Sequence, residues 1–225
     1  LRDHELIHNY VLMGLSHAEQ LVIEDEYWAA IERSTGDHIA SFWAHYLVMV
    51  GGREVATTAS GRGVYDVFRT HFPRLDPVAL RTLAEQWRSF AQLYATLLDP
   101  EGEPDPEIRA RLHYLNTFGR GMYPLVMALY ARHRAGEIER NDLLSVLDDL
   151  QSLLLRRDVV SVGSDRLVAR LVRASREGID ALAAAISRQT PSDDRVRVAL
   201  KHSPLPHPEY VLSRLADVDP AQDDL

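Results

Sequence analysis

The chain has 225 residues, of which 46% are hydrophobic and 26% charged, a balance that suits one large packed domain and excludes a disordered or fibrous protein. The formal charge is −8, there is no cysteine, and no apolar run reaches the roughly 18 residues of a membrane span. Disulfide scaffolds, thiolate metal sites and membrane-crossing helices are thereby excluded, and with no secretory leader pattern in the sequence a cytoplasmic location is expected.

The apolar spacing is helical almost throughout. Leu6, Ile7, Tyr10, Val11 and Leu15 form one stripe behind Asp3, a good N-cap. A second helix is predicted over about Ala18–Arg33, and Gly36-Asp37 then stops it and caps a third over about His38–Val50. The third helix carries Ile39, Phe42, Trp43, Tyr46 and Leu47 inward. Residues 51–63, rich in Gly, Ser and Thr, read as a connection. Gly61 and Gly63 lack the G-K-[ST] ending and the preceding strand of a phosphate loop.

A short helix over Val64–Phe72 precedes Pro73. Asp76-Pro77 caps a long helix to about Leu98. The acidic, proline-rich stretch 99–106 is a hinge. Further helices are expected over Glu107–Phe118, Met122–Ala135, Arg140–Arg156 and Ser164–Ser187. A short helix to about His202, the stiff SPLPHP segment and a last helix from Pro208 through Leu215 complete the chain.

The best β-like run, Val159-Val160-Ser161-Val162, is too short to seed a sheet. The fold class read from this pattern is all-α, a bundle of about ten helices without a substantial sheet. Residues 1–216 form one helical domain with sub-layers 1–98 and 105–216, followed by an acidic tail 217–225. The broad apolar stripes on both sides of the hinge argue against independent domains. The start at Leu1, inside a helix-opening signal, points to a piece of a longer protein.

Two constellations bear on chemistry. His4-Glu5-Leu6-Ile7-His8 matches H-E-x-x-H, in which two histidines on one helix face bind zinc and the glutamate serves as general base. A third ligand is missing; Glu24, Asp25 and Glu26 lie nearest in sequence. The match fixes only three positions in a chain with ten histidines. Its first two residues fall in an exposed first turn, where Glu5 complements the helix dipole. These residues are read as helix, not metal site, and a zinc hydrolase is the distant alternative. His113, His202 and His207 lack the spacing of an H-N-H nuclease, and no G-x-S-x-G elbow is present.

The second constellation is basic. Residues 1–150 hold 14 Arg against 22 acids, whereas residues 151–201 hold 10 Lys+Arg against 6 acids. Arg156 and Arg157 end one helix, and Arg166, Arg170 and Arg173 recur at i, i+4 and i+7, with Arg176 adjacent. Such a row suits phosphate contact. The competing reading is a solvated face, with Asp158, Asp165 and Glu177 neutralising part of it.

Several stretches in order resemble one family. Leu6-Ile7-His8-Asn9-Tyr10-Val11-Leu12-Met13, Tyr27-Trp28 with Ile31-Glu32, Phe42-Trp43-Ala44-His45-Tyr46-Leu47 and Val64-Tyr65-Asp66-Val67-Phe68 are similar to segments of GmrSD-type modification-dependent restriction proteins. So are Leu153-Leu154-Leu155-Arg156-Arg157-Asp158-Val159-Val160 and the run Val196 to Leu215, with its Tyr210-Val211-Leu212-Ser213-Arg214-Leu215-Ala216. His8 and Ala216 depart from the family pattern.

The resemblance implies a helical region between an upstream ParB-like domain, whose D-G-Q-Q-R motif hydrolyses nucleotide, and a downstream H-N-H nuclease. Neither motif occurs in this sequence. The chain is therefore expected to be a non-catalytic linker and relay with no cofactor of its own. The parent's nucleoside triphosphate and divalent metal would sit in the flanking domains. Expected partners are those flanking domains, DNA and a second copy of the chain, with no membrane. Arg156 and Arg157 come first as interdomain or DNA contacts, then Arg166, Arg170 and Arg173. The alternative is a helical dimerisation or protein-docking module that does not touch nucleic acid.

Overall fold

A computed structural model describes residues 2–55, 63–73, 76–164 and 166–218. The helices are α1 (Asp3–Leu12), α2 (His17–Val22), α3 (Ala29–Thr35), α4 (Ile39–Gly51), α5 (Gly63–His71), α6 (Pro77–Leu98) and α7 (Pro106–Asn116). They continue as α8 (Tyr123–Arg134), α9 (Arg140–Val159), α10 (Leu167–Ser175), α11 (Ile179–Gln189), α12 (Asp193–Leu200) and α13 (Pro208–Val218). Among the described residues there is no strand, so the fold is an all-α bundle as the periodicity predicts. Most of the loop over 51–63, Asp165 and the tail beyond Val218 lie outside the described residues.

α4 is the hub. Phe42, Trp43, Tyr46 and Leu47 are at most 1% exposed, which places them at the centre of the core. The Trp43 ring meets Trp28, Phe68 and Trp87 at centroid separations of 5.7, 5.4 and 5.5 Å. One helix thus gathers side chains from the α2–α3 rod, α5 and α6 into a single aromatic cluster, in the offset and edge-on geometries that ring quadrupoles favour. An aliphatic layer built from α7, α9, α10 and α11 continues this core. α8 joins the two by packing on α4, α6, α9 and α10. Buried residues on both sides of the 99–106 turn belong to one contiguous cluster.

Local chemistry sets the element ends. Ser16 and Glu19 form a reciprocal cap at α2. Asp76 accepts from Ala79 N–H ahead of Pro77, and Asp105 accepts from Glu107 and Ile108 N–H ahead of Pro106. The stretch 99–106 is pinned as well. Arg109 donates to the Glu103 carbonyl at 2.9 Å, and Arg140 pairs with Asp105 and Glu107.

The structure corrects two expectations. Arg2, not Asp3, is the N-cap of α1; the Glu5 carboxylate accepts from its N–H at 2.7 Å. Asp3 reaches across the fold instead and accepts the N–H of Tyr65 at the start of α5. The single helix expected over Ser164–Ser187 is two, broken where Gly178 adopts φ +124°. That conformation is open to glycine and closed to residues with a Cβ. The predicted rod over Ala18–Arg33 runs on from α2 to α3, but Ile23–Trp28 is wound as a π-helical turn. Among the described residues, α12 and α13 bury no side chain, and both pack on the outside of α9.

Candidate functional site

The arginine row does not form one surface. Arg156, on α9, donates to the Pro191 carbonyl at 3.1 Å and to Asp193 at 2.6 Å, which fixes the α11–α12 link. Arg157 is only 9% exposed and reaches the carbonyls of Gln189 and Gly163. Burial and the charge of Arg170 pull its pKa down from the usual arginine range. Arg173 donates to the carbonyl of Gly52, and Arg176 to those of Met49 and Val50. These carbonyls end α4, where no intrahelical N–H remains to satisfy them and where positive charge complements the helix dipole.

Four arginines of the basic segment therefore serve the fold as clamps between helices. Arg166 and Arg170 differ from them. Like Arg173 and Arg176 they are exposed, but among the described residues neither makes an ion pair or a side-chain hydrogen bond. Arg166 takes a left-handed conformation, φ +55°, just before α10. The row at i, i+4 and i+7 thus splits by role: Arg173 bonds the end of α4, while the Arg166 and Arg170 side chains bond no side chain or carbonyl among the described residues. Arg156 and Arg157, the first expected contacts, are each engaged with their own chain.

The H-E-x-x-H residues also part company. His4 is 8% exposed and its Nδ1 has no partner; burial, with Arg2 nearby, lowers its pKa. Glu5 is spent on the α1 cap. His8 stacks on Trp28 at a 4.4 Å centroid separation. Its Nε2 lies 2.8 Å from Glu24 Oε1, but the approach is out of line with a ring N–H bond. Glu24, from the π-turn, is thus the one acid of Glu24, Asp25 and Glu26 that reaches His8. Among the described residues no three His, Asp or Glu side chains converge as a metal set.

One polar cleft was not legible in the sequence. It has a volume of about 660 Å³ and lies between α4, the start of α8 and the start of α10. His45, Glu54, Ser164 and Arg166 supply its polar wall. His45 Nδ1 is 3.0 Å from the Tyr94 hydroxyl. Burial, assisted by the charge of Arg120, holds the imidazole pKa down at about 4, so the ring is neutral. Glu54 Oε1 accepts from Ala169 N–H at the first turn of α10. The cleft joins residues more than a hundred positions apart, and no local spacing in the chain announces it.

Compared with protein-family models, curated proteins and solved structures, the chain matches none.

Proposed function

We propose that this chain is a non-catalytic helical relay domain of a GmrSD-like DNA restriction nuclease. It couples an upstream nucleotide-sensing domain to a downstream nuclease and meets the DNA backbone through Arg166 and Arg170. The observation that carries this reading is the division of the arginine row. Four side chains bind carbonyls distant in sequence, two tying α9 to the α11–α12 link and two tying α10 to the end of α4. Two are exposed and have no partner among the described residues, as contacts to a polyanion require. The ordered motif resemblance supports the family reading, and a relay between flanking domains is supported by the tying of the first and last helices to the bundle: α1 to α5 by Asp3, and α13 to α9 by Arg214 and Tyr210.

The reading is tested in the longer protein with its flanking domains. Arg173→Ala with Arg176→Ala loosens the α4–α10 clamp and should leave nucleotide hydrolysis and DNA affinity intact while cleavage ceases to respond to nucleotide. If cleavage stays fully nucleotide-dependent in this variant, the clamp does not relay.

A second reading, a protein-docking or dimerisation module, is favoured by Val198, Leu212 and Leu215, which are 57%, 67% and 61% exposed on the outermost helices. Solution mass measured across a concentration series separates it from the first.

A further inference from the structure

We propose that the cleft between α4, α8 and α10 binds a small zwitterion with an apolar side group, the chemical class of apolar amino acids and short peptides. It depends on the residues of the cleft and not on the DNA-contact reading, although Arg166 belongs to both.

The polar wall carries one carboxylate, Glu54, and one guanidinium, Arg166. Among the ion pairs of the described residues the two are not joined to each other, so the cleft offers two separated charges of opposite sign. A dianion would be repelled by Glu54 and a simple cation by Arg166. A molecule that carries both charges meets each with its complement. Glu54 uses Oε1 for the N–H of Ala169, which orients the carboxylate.

His45 adds a neutral donor. Assigning the Tyr94 hydroxyl as the donor to His45 Nδ1, 3.0 Å away, places the proton of the neutral ring on Nε2. Among the described residues Nε2 has no partner, and the side chain lines the cleft. A second oxygen of a bound carboxylate suits that N–H. The rest of the wall is apolar, with Val48, Val55, Met122, Pro124 and Val168 facing the same space. A volume of about 660 Å³ falls within the range of small-molecule sites.

Arg166 is placed there at a conformational cost. A residue with a Cβ is disfavoured at φ +55°, and glycine would relieve that strain. An arginine held in this conformation at the mouth of a polar cleft is the pattern of a side chain positioned for use.

Isothermal titration calorimetry with three probes tests the assignment: L-phenylalanine, 3-phenylpropionate, which lacks the ammonium group, and phenethylamine, which lacks the carboxylate. L-phenylalanine should bind, and each half-probe should bind at least about tenfold more weakly. Arg166→Gly, which relaxes the backbone, should remove the advantage of L-phenylalanine over phenethylamine. Glu54→Gln, whose amide oxygen can still accept from Ala169, should remove its advantage over 3-phenylpropionate. Arg170→Glu, outside the cleft, should leave L-phenylalanine binding unchanged whatever it does to DNA affinity. No heat with any probe, equal affinity for all three, or L-phenylalanine binding indifferent to both cleft variants would overturn the assignment.

Discussion

Arg173 donates through Nη1 to the carbonyl oxygen of Gly52, joining α10 to the end of α4 across 121 residues of sequence. Gly52 accepts this neighbour because it sits at φ +62°, and a Cβ built there would come within 3.1 Å of Arg173 Cγ. Arg176 completes the clamp on the carbonyls of Met49 and Val50. Replacing both arginines by alanine removes three charged hydrogen bonds and, with both side chains partly screened by solvent, should cost at least about 1.5–3 kcal/mol, the range of one such bond. Gly52→Ala should cost about 1–2 kcal/mol through the left-handed backbone alone. Urea unfolding at neutral pH reads both; a double variant as stable as the wild type would mean the clamp contributes nothing net.

His45 makes stability depend on pH with a defined sign. Its folded pKa, about 4, lies below the 6.5 of an unhindered imidazole, so the unfolded chain binds the proton more readily. The contribution is fully present above 6.5, falls as pH drops through the interval and is gone below about 4. Its upper size is about 3 kcal/mol. His4, also held down by burial, acts in the same direction, so the difference between variants is the readout. His45→Gln can still accept from Tyr94 and should lose less stability than the wild type between pH 7 and pH 4.5 in thermal unfolding. Parallel losses in the two proteins would exclude His45 as the source.

Asp105 has two separable roles. It caps α7 through the N–H groups of Glu107 and Ile108, and it pairs with Arg140, which holds its carboxyl down at about 2. Asp105→Ala should cost about 1–2 kcal/mol, chiefly as a lost cap. Asp105→Asn keeps an acceptor for the cap and should cost no more than about 1 kcal/mol, the scale of a partly exposed ion pair. Chemical denaturation of both variants decides, and the order reversed would make the ion pair the larger contributor.

The zinc-protease pattern makes a prediction of its own. Glu5 is committed to the Arg2 N–H, and His8 lies against Trp28 and Glu24. Purified protein dialysed against zinc should retain far less than one equivalent. Near-stoichiometric zinc lost on His4→Ala or His8→Ala would reverse the reading of these residues.

Much of the fold was legible because its signals are local. Asp76-Pro77 and Asp105-Pro106 announce α6 and α7 by capping chemistry that needs no tertiary partner. The hub was legible too, since Phe42, Trp43, Tyr46 and Leu47 recur at helical spacing. The break at Gly178 was not, because a lone glycine inside a helical pattern is tolerated as often as it ends one. There the packing of α10 against α8 and α11 decides. Asp3 has the residue type of a cap, but a distant N–H, that of Tyr65, claims it. The arginine spacing was visible and its division was not: which arginine meets a carbonyl depends on where α4 ends in space. Gly178→Ala should accordingly destabilise by more than about 1 kcal/mol.

The division of the arginine row is most directly tested by the salt dependence of duplex DNA affinity for this chain and two double variants. Arg166→Glu with Arg170→Glu should weaken binding and reduce the slope of log K against log salt by about 2, one phosphate contact for each side chain. Arg173→Ala with Arg176→Ala should leave that slope unchanged. Salt-insensitive or absent binding by the wild type, or an equal loss of slope in the two variants, would contradict the account.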